Sequence, residues 1–264
     1  MGTRSIALTF LTGLLVVTTP GIAAAHSTPA ARQTAPADNG ASALGRDRRV
    51  LQMNICNSGY ASCYRGGVAV TSAIKMIRRR KPWVVTLNEA CGRDAQNIAK
   101  AIGMRYTFFP AHKASGGAAR CKNKQAYGNA VLTWQNAPRT YYRVLARQVR
   151  GAEKRSMGCR EIQAMVACTT HLTNKSKSVA LDQCKEAIVY ARKFARGKRV
   201  FLIGDLNLRY NKDRVQSCVP KKFTRKSDGS VQHAIVDNRL PIKGHNHEDL
   251  WGSDHDAFWV DLGT

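Results

Sequence analysis

Residues 199–210 read RVFLIGDLNLRY, and this stretch decides the fold interpretation of the whole chain. The apolar run from Val200 to Ile203 is closed by a glycine, which is typical of a buried strand that ends in a turn. Asp205 and Asn207 follow one residue apart, so they point to the same side if the strand geometry continues through them. Two oxygen-bearing side chains at the tip of a core strand predict a functional site.

The beginning of the chain has the pattern of an export signal followed by an unstructured leader. Residues 1–25 combine a basic residue, an apolar run and three closing alanines, as a cleavable secretory signal peptide does. Residues 26–47 are rich in Ala, Pro, Ser, Thr and Gly without apolar periodicity, which predicts a disordered segment. The alternative is an uncleaved membrane anchor, but the apolar run is shorter than the ~20 residues that a spanning helix needs. We therefore expect a secreted protein with one folded domain over residues 48–264.

All eight cysteines lie in this expected domain. An even number of cysteines in an exported chain predicts disulfides, here up to four. Proximity in the sequence favours Cys56 with Cys63 across a short loop, and Cys159 with Cys168 across a hairpin. A zinc site is the alternative, but it would need short paired spacings such as C-x2-C, which the sequence lacks.

The composition is strongly basic. There are 42 Lys and Arg residues against 17 Asp and Glu, for a formal net charge of +25. These basic residues are spread along the chain, and such a field favours a polyanion such as nucleic acid through counterion release. An anionic membrane surface or simple solubility is the alternative explanation. Nothing in the sequence implies a protein partner, and we expect a monomer.

Apolar patterns predict strands and helices in alternation, followed by strands in succession. Helices are expected over residues 66–80, 93–103 and 177–196. Strands are expected within residues 49–56, 83–89, 106–110, 128–134, 141–146, 163–172, 199–207, 230–238 and 256–262. Residues 244–255, GHNHEDLWGSDH, are expected to form a polar loop that leads to the site, with a second metal site involving its histidines as the alternative. Two groups of strands with helices outside predict an α/β sandwich of layers.

Polar residues recur at the ends of these expected strands. The set comprises Asn54, Glu89, His171, Asp205, Asn207, Asp254 and His255. A single glutamate or histidine in such a position is more often a turn or structural residue. Because the same kind of position recurs on different strands, the set together predicts a constellation at one edge of the sandwich.

The sequence resembles the endonuclease/exonuclease/phosphatase superfamily typified by deoxyribonuclease I. The resemblance is carried by MNIC, NEAC, YGNAVLT, TTHL, GDLN and SDHDAFWV, in family order from about residue 49 to the C-terminus. GDLN and SDH are the most specific of these motifs. The resemblance implies a four-layer α/β/β/α sandwich of two mostly antiparallel sheets flanked by helices, and a metal-dependent phosphoric ester hydrolase.

The resemblance also implies a role for each matched residue. Asn54, Glu89 and Asp254 would be ligands or orienters of a divalent ion, Mg²⁺ or alternatively Mn²⁺ or Ca²⁺. The catalytic groups that place the attacking water, hold the phosphate and assist the leaving oxygen would be His171, Asp205, Asn207 and His255. Tyr127 and Arg155 would contact the phosphate, with packing or surface roles as the alternative.

One position departs from the family pattern. Gln232 stands where many members carry an aspartate that orients the last histidine, here His255. Glutamine can accept a hydrogen bond from an imidazole, but it cannot stabilise imidazolium with a negative charge. Either the mechanism tolerates this change, Asp237 or another acid substitutes, or activity is weakened.

These observations favour a secreted, metal-dependent phosphodiesterase, and in particular a nuclease acting on DNA or RNA. One alternative is a secreted phosphodiesterase that acts on phospholipid headgroups or other small phosphate esters. For that alternative, Trp134, Tyr141 and Tyr142 would form an exposed aromatic hairpin. A second alternative is a weakly catalytic nucleic-acid-binding protein of the same fold, because of Gln232.

Overall fold

The computed structural model of the protein describes residues 48–263. The expected signal peptide and leader lie outside the described residues, so both stay predictions. Within the described range, no helix has the length and apolar character needed to cross a membrane.

The described residues form twelve strands and three α-helices, in an order that alternates early and becomes strand-rich later. The elements are β1 (Arg48–Asn54), α1 (Val68–Arg80), β2 (Val84–Cys91), α2 (Gly92–Ile102), β3 (Arg105–Pro110), β4 (Tyr127–Thr133), β5 (Thr140–Val144), β6 (Ser156–Ile162), β7 (Met165–His171), α3 (Lys177–Ala195), β8 (Arg199–Asp205), β9 (Phe223–Ser227), β10 (Gln232–Asp237), β11 (Ile242–Glu248) and β12 (Ala257–Leu262). A short 3-10 helix at Val215–Cys218 precedes β9.

The strands build two six-stranded sheets. The first sheet has the order β11-β12-β1-β2-β4-β3, and the second has the order β5-β6-β7-β8-β10-β9. In the described chain, β1 with β2 and β7 with β8 are parallel, and the other pairs are antiparallel. The expectation of two mostly antiparallel sheets is confirmed.

Three apolar layers hold the sandwich together. One lies between α1, α2 and the first sheet, one lies between the two sheets, and one lies between the second sheet and α3. In β8, Val200 and Leu202 pack towards α3, whereas Phe201 and Ile203 pack between the sheets. The continuous apolar run of β8 therefore reflects burial on both faces, which contributes roughly 1.5–3 kcal/mol for each large side chain. The four-layer α/β/β/α architecture is confirmed.

The sequence patterns missed three strands, β6, β9 and β11. The prediction of a loop over residues 244–255 is wrong for its first part, because residues up to Glu248 belong to β11. This edge strand is exposed or half-buried along its length and pairs with β12 through its backbone. Its side chains therefore show no apolar alternation. The strand β6 is buried along its length, but it contains the charged residues Arg160 and Glu161. These two residues interrupt the apolar pattern by which a buried strand is recognised in a sequence.

Four disulfides cross-link the domain. The pairs are Cys56–Cys63, Cys91–Cys121, Cys159–Cys168 and Cys184–Cys218. The two pairings expected from proximity are confirmed, and Cys159–Cys168 does join the neighbouring strands β6 and β7. No cysteine of the described domain is left free, so the zinc alternative has no thiol to use.

Gly204 allows β8 to approach β7 closely. The two residues Gly204 and Thr170 face each other in the parallel ladder, and a Cβ atom on Gly204 would lie 2.0 Å from the carbonyl oxygen of Thr170. Real Cβ atoms do not approach oxygen so closely, so a side chain here would push the two strands apart. The glycine before Asp205 is therefore required by packing.

We expect Gly204→Ala to lower the free energy of unfolding by about 1–3 kcal/mol or more, because overpacking forces the backbone to shift. Urea titration would measure the loss. Gly244→Ala is the matched control, since its Cβ would meet only a side-chain oxygen of Asp261 at 3.8 Å. Equal stability of the two variants would contradict the close approach of β7 and β8.

His233 on β10 is a buried histidine whose protonation opposes folding. Its Nε2 lies 2.6 Å from the carbonyl oxygen of Leu208, and its Nδ1 lies 3.1 Å from the guanidinium of Arg225. Because the guanidinium can only donate, Nδ1 accepts and the neutral ring donates from Nε2. Burial, with a smaller effect of the Arg225 charge, lowers the pKa of His233 from 6.5 to about 4.

This pKa predicts an acid-sensitive part of the stability. The unfolded state binds the proton more readily, so the contribution is complete above pH 6.5 and is lost as the pH falls towards 4. The pKa difference corresponds to about 3 kcal/mol. We expect the free energy of unfolding, measured in urea, to fall less steeply over this pH range in His233→Gln than in the wild type. Identical slopes would show that another group is responsible.

Candidate active site

Four strand ends meet at one edge of the sandwich. Asn54 is the last residue of β1, His171 of β7 and Asp205 of β8, and Glu89 lies near the end of β2. The pairs β1–β2 and β7–β8 are parallel, so within each sheet these ends lie side by side. The structure therefore brings four of the expected residues together at one edge of the sandwich.

Asn54 joins the two sheets at this edge. Its Nδ2 donates to Glu89 Oε1 and to Asp205 Oδ2, both at 3.0 Å. Its Oδ1 accepts from the backbone N–H of Cys56 at 3.1 Å. Of the two roles implied by the resemblance, this arrangement favours the orienter over the ligand, because the amide nitrogen faces the two carboxylates. The amide nitrogen holds two carboxylates together that would otherwise repel each other.

Glu89 reaches the site through an irregularity in β2. The register with β4 shifts between Leu87 and Ala90, and Glu89 has a φ of 54° in the left-handed region. Cys56 and Asn207, also at the site, have φ values of 42° and 51°. Such conformations cost of order 1–3 kcal/mol each and persist where the surrounding structure enforces them, often at functional sites.

Asp205 and Asn207 are brought together by a turn. The strand β8 ends at Asp205, and the left-handed φ of Asn207 shows that strand geometry does not continue through both residues. The reason given by the sequence pattern is therefore wrong, and the contact between the two residues runs through the backbone of Asn207. The backbone N–H of Asn207 donates to Asp205 Oδ1 at 2.9 Å, and its side-chain Nδ2 donates to the carbonyl oxygen of Leu172 at 2.9 Å.

His171 lies against both carboxylates and against Arg155. Its Nε2 is 3.6 Å from Asp205 Oδ2 and 3.8 Å from Glu89 Oε1. Its Nδ1 is 2.8 Å from a guanidinium nitrogen of Arg155. Because Arg155 can only donate, Nδ1 accepts and Nε2 carries the proton. Burial first, and then the charges of Arg155 and His255, hold the pKa of His171 well below its usual 6.5, so the ring is a neutral donor.

His255 approaches Asp205 from the loop before β12. Its Nε2 lies 3.6 Å from Asp205 Oδ2 and 3.6 Å from Asp254 Oδ1. Ser253 fixes this loop, because its hydroxyl donates to the carbonyl oxygen of Asn54 at 2.7 Å and accepts from the N–H of His255 at 3.2 Å. Both residues of the SDH motif that follow Ser253 are thereby tied to the end of β1.

Asp254 lies at the rim of the site. Its side chain is 59% exposed, and its carboxylate is within 4.8 Å of the sulfurs of Cys56 and Cys63. The residues whose ligand atoms cluster within the same distance at the centre are Glu89, His171 and Asp205. Asp254 therefore lies next to the Cys56–Cys63 disulfide and outside the central cluster.

Tyr127, Arg155 and Glu153 lie beside the Glu89–His171–Asp205 cluster. Tyr127 begins β4 and is buried, and burial, reinforced by the charges of Glu89 and Glu153, raises its pKa well above 10.0. Arg155 is 11% exposed and lies 3.4 Å from Glu153 Oε1. Burial also raises the pKa of Glu153. Glu153 was not predictable from the sequence, because a single glutamate in a polar loop is ordinary.

A buried polar network supports the site from below. Asn88 is its centre: Oδ1 accepts from Gln52 Nε2 at 2.7 Å and from the backbone N–H of Asp205 at 2.8 Å. Its Nδ2 donates to Asn129 Oδ1 at 2.9 Å. Sequence reasoning missed this network, and the available signal was the presence of amides inside otherwise apolar strands. A fully paired network of this kind fixes the position of Asp205.

Gln232 faces Asp205 across the β8–β10 ladder. Its Nε2 donates to the carbonyl oxygen of Asp256 at 2.7 Å and to Asp228 Oδ2 at 3.1 Å. Its Oε1 is buried and has no hydrogen-bond partner among the described residues. Asp237 is at the other end of β10 and pairs with Arg239, so it does not replace the expected aspartate. The acid beside Gln232 is Asp228.

The donor set of the site suits a hard divalent cation. Burial raises the pKa of Asp205, and burial together with the Asp205 charge raises the pKa of Glu89. The neighbours between them, the Asn54 amide and the neutral His171 ring, do not cancel the charge of two carboxylates. Since Nε2 of His171 carries a proton, the carboxylate oxygens are the available ligands, and oxygen ligands fit Mg²⁺.

Comparison with known proteins adds to this geometry. No protein-family model matches the chain, and no curated protein matches its sequence. The human Nocturnin catalytic domain with bound sulfate is 14% identical, covers 82% of this chain and 93% of its own, and has a TM-score of 0.64. An endonuclease/exonuclease/phosphatase from Beutenbergia cavernae DSM 12333 is 17% identical, covers 82% and 71%, and has a TM-score of 0.59.

A third similar structure is the mannosyl-6-phosphatase of Bacteroides thetaiotaomicron VPI-5482. It is 12% identical, covers 82% of this chain and 99% of its own, and has a TM-score of 0.61. Identities this low establish shared architecture and leave the substrate open. The domain therefore has the fold of the endonuclease/exonuclease/phosphatase superfamily, as the resemblance of its motifs predicted.

Proposed function

We propose that the protein is a secreted, metal-dependent phosphodiesterase that hydrolyses the backbone of DNA or RNA. The observation that carries this proposal is the pair of carboxylates, Glu89 and Asp205, held together by Asn54 and flanked by His171 and His255. The bound sulfate in the Nocturnin domain supports it, because sulfate has the shape and charge of a phosphate group.

Each side chain has a role that follows from its position. Glu89 and Asp205 would hold Mg²⁺, with Mn²⁺ or Ca²⁺ as alternatives, and the ion when bound would neutralise charge on the phosphoryl oxygens. Asp205 Oδ2, between the two histidines, would also accept a hydrogen bond from the attacking water. The neutral His171 would donate from Nε2–H to a phosphoryl oxygen, since its Nδ1 is engaged by Arg155.

The remaining predicted residues would act around this centre. His255, between Asp205 and Asp254, is placed to assist departure of the leaving oxygen, and Asp254 would add a carboxylate from the rim. Asn207 would hold the phosphate beside Asp205. Arg155 brings the positive charge nearest to His171, and Tyr127 would contact the phosphate from β4. Gln232 Oε1 has no hydrogen-bond partner among the described residues, so it does not orient a histidine as the expected aspartate would. A weakly catalytic protein is therefore the alternative.

Charge and disulfides support secretion and a polyanionic substrate. Four disulfides are typical of proteins in an oxidising compartment. The net charge of +25 would gather nucleic acid at the surface. An anionic membrane surface would also be attracted, so lipid headgroups stay an alternative substrate, as do small phosphate esters such as the one named for the Bacteroides neighbour.

The expected aromatic hairpin is not formed, because β4 and β5, the strands on either side of it, belong to different sheets. Its three aromatic residues do not favour the lipid alternative. Trp134 donates from its indole nitrogen to the carbonyl oxygen of Pro82 at 2.9 Å. The ring of Tyr141 stacks on Phe194 of α3 at 5.2 Å. The third aromatic residue, Tyr142, donates its hydroxyl hydrogen to the carbonyl oxygen of Pro110 at 2.7 Å. All three aromatic residues are therefore anchored to the domain, whereas a membrane-inserting tip would project freely.

We expect the purified protein to cleave plasmid DNA or RNA in the presence of Mg²⁺ and to lose this activity when a chelator removes the ion. The measurement compares plasmid DNA, RNA and phospholipid vesicles in parallel reactions. Turnover of phospholipid with intact nucleic acid would replace the proposal by the lipid alternative. Binding of nucleic acid without turnover of any substrate would favour the weakly catalytic alternative.

Glu89→Gln removes one carboxylate of the pair while keeping the size of the side chain. We expect nucleic-acid cleavage to fall at least about hundredfold, because the ion loses one of its two carboxylate ligands. Asp182→Asn on α3 is the control and should retain activity, because its carboxylate is 42% exposed and lies 3.6 Å from Arg147. Circular dichroism and DNA binding should be unchanged in both variants. Wild-type cleavage by Glu89→Gln would overturn the site assignment.

A further inference from the structure

Two strongly exposed aromatic side chains stand on the loops that carry the site. Trp251 is 74% exposed and Tyr60 is 70% exposed, the highest values among the large aromatic residues described by the structure. Tyr60 follows Asn54 in the loop after β1, and Trp251 precedes Asp254 and His255 in the loop before β12. Exposure of a large aromatic ring costs hydrophobic free energy, so two such rings on the two loops that adjoin the site are candidates for a binding role.

The two loops are packed on each other with the rim of the site between them. The Asp254 carboxylate lies within 4.8 Å of both sulfurs of the Cys56–Cys63 disulfide, which closes the loop of Tyr60. A Cβ atom on Gly252, next to Trp251, would lie 2.7 Å from the backbone nitrogen of Ala69 at the start of α1. The backbones under both aromatic rings are therefore fixed, while the rings face solvent.

Basic residues adjoin this aromatic pair. Lys122 donates its backbone N–H to the carbonyl oxygen of Ser58 at 2.8 Å, and Gly59 is packed against its side chain. Lys122, Lys124 and Arg65 are exposed. The surface next to Tyr60 thus combines an aromatic ring with cations. This combination is typical of proteins that bind single-stranded nucleic acid through base stacking and backbone charge.

We propose that Tyr60 and Trp251 form a stacking platform for the bases next to the scissile phosphate, and that the substrate is single-stranded nucleic acid. This inference rests on the proposed nuclease function and names its substrate class. Unpaired bases expose their faces to aromatic side chains, whereas a duplex buries those faces in its own stack. The cations of the Lys122 loop contact the backbone that leads away from the site.

A membrane is a poorer occupant of the same surface. The exposed carboxylate of Asp254 lies between the two aromatic loops, 59% exposed. Insertion of both rings into a bilayer would press this carboxylate into the lipid interface, where burial of a charge is costly. A strand of nucleic acid leaves the carboxylate in water and places only its bases on the rings.

Trp134 provides a matched control within the same chain. It is 45% exposed, and it follows the end of β4, where Thr133 pairs with Val84 at the start of β2. Glu89 lies near the other end of β2, so Trp134 is at the edge of the sheet away from the site. Its replacement removes an exposed indole without touching the proposed platform.

The test compares Trp251→Ala, Tyr60→Ala and Trp134→Ala on two Mg²⁺-dependent substrates. One substrate is a fluorescein-labelled single-stranded DNA, and the other is the same strand with abasic tetrahydrofuran residues around the cleaved bond. We expect the wild type to prefer the base-bearing strand. In Trp251→Ala and Tyr60→Ala, kcat/KM for that strand falls by about fivefold to a hundredfold, the range for one stacking contact, and cleavage of the abasic strand is unchanged.

Each other outcome has a defined meaning. Unchanged cleavage of the base-bearing strand by both variants overturns the platform and leaves the nuclease proposal standing. An equal loss on both strands also overturns it, because the aromatic residues would then support the site itself. The same loss in Trp134→Ala overturns the assignment to this surface. A wild type that cleaves plasmid DNA or RNA but neither single strand overturns this inference alone, and a wild type that cleaves none of these substrates refutes the nuclease function on which the inference rests. If Trp251→Ala loses binding to phosphatidylglycerol vesicles and still cleaves the strands like the wild type, the surface binds membranes and the platform proposal is overturned.

Discussion

The hydrogen bonds from the Asn54 amide to Glu89 and Asp205 are the constraint on which the site depends. They connect the tip of the first sheet to the tip of the second, and they hold the half-buried Glu89 and the buried Asp205 within reach of one cation. Two carboxylates repel each other at this separation, so the arrangement depends on the hydrogen bonds that the Asn54 amide donates to both. Asn88 fixes the backbone of Asp205, and Cys56 fixes the amide of Asn54.

The packed sandwich makes that constraint possible. Left-handed conformations at Cys56, Glu89 and Asn207 are unfavourable in isolation, and the surrounding sheets and the Cys56–Cys63 disulfide maintain them. The close approach of β7 and β8 at Gly204 places His171 directly beside Asp205. The packing of the core therefore also sets the geometry of the site, because small shifts between strands would separate the ligand atoms.

Most of the architecture was predictable from local patterns. The apolar run before Asp205 identified a strand buried on both faces, and the polar residues that follow such runs identified the edge where the site lies. β11 was not predictable in this way, because an exposed edge strand is held by backbone pairing and its side chains show no periodicity. The supporting amides Gln52 and Asn88 were missed, because the sequence does not tell which polar residue faces another across two sheets.

The sequence by itself determined the chemical inventory of the protein: the carboxylates, amides and histidines at strand ends, the even number of cysteines and the excess of positive charge. Only the tertiary structure decided how this inventory is used. It directs the nitrogen of Asn54 towards the carboxylates, sets the proton of His171 on Nε2 through Arg155, and moves Asp254 to the rim. The physical reason is that these relations depend on the register and separation of strands far apart in the chain, and local patterns carry no information about them.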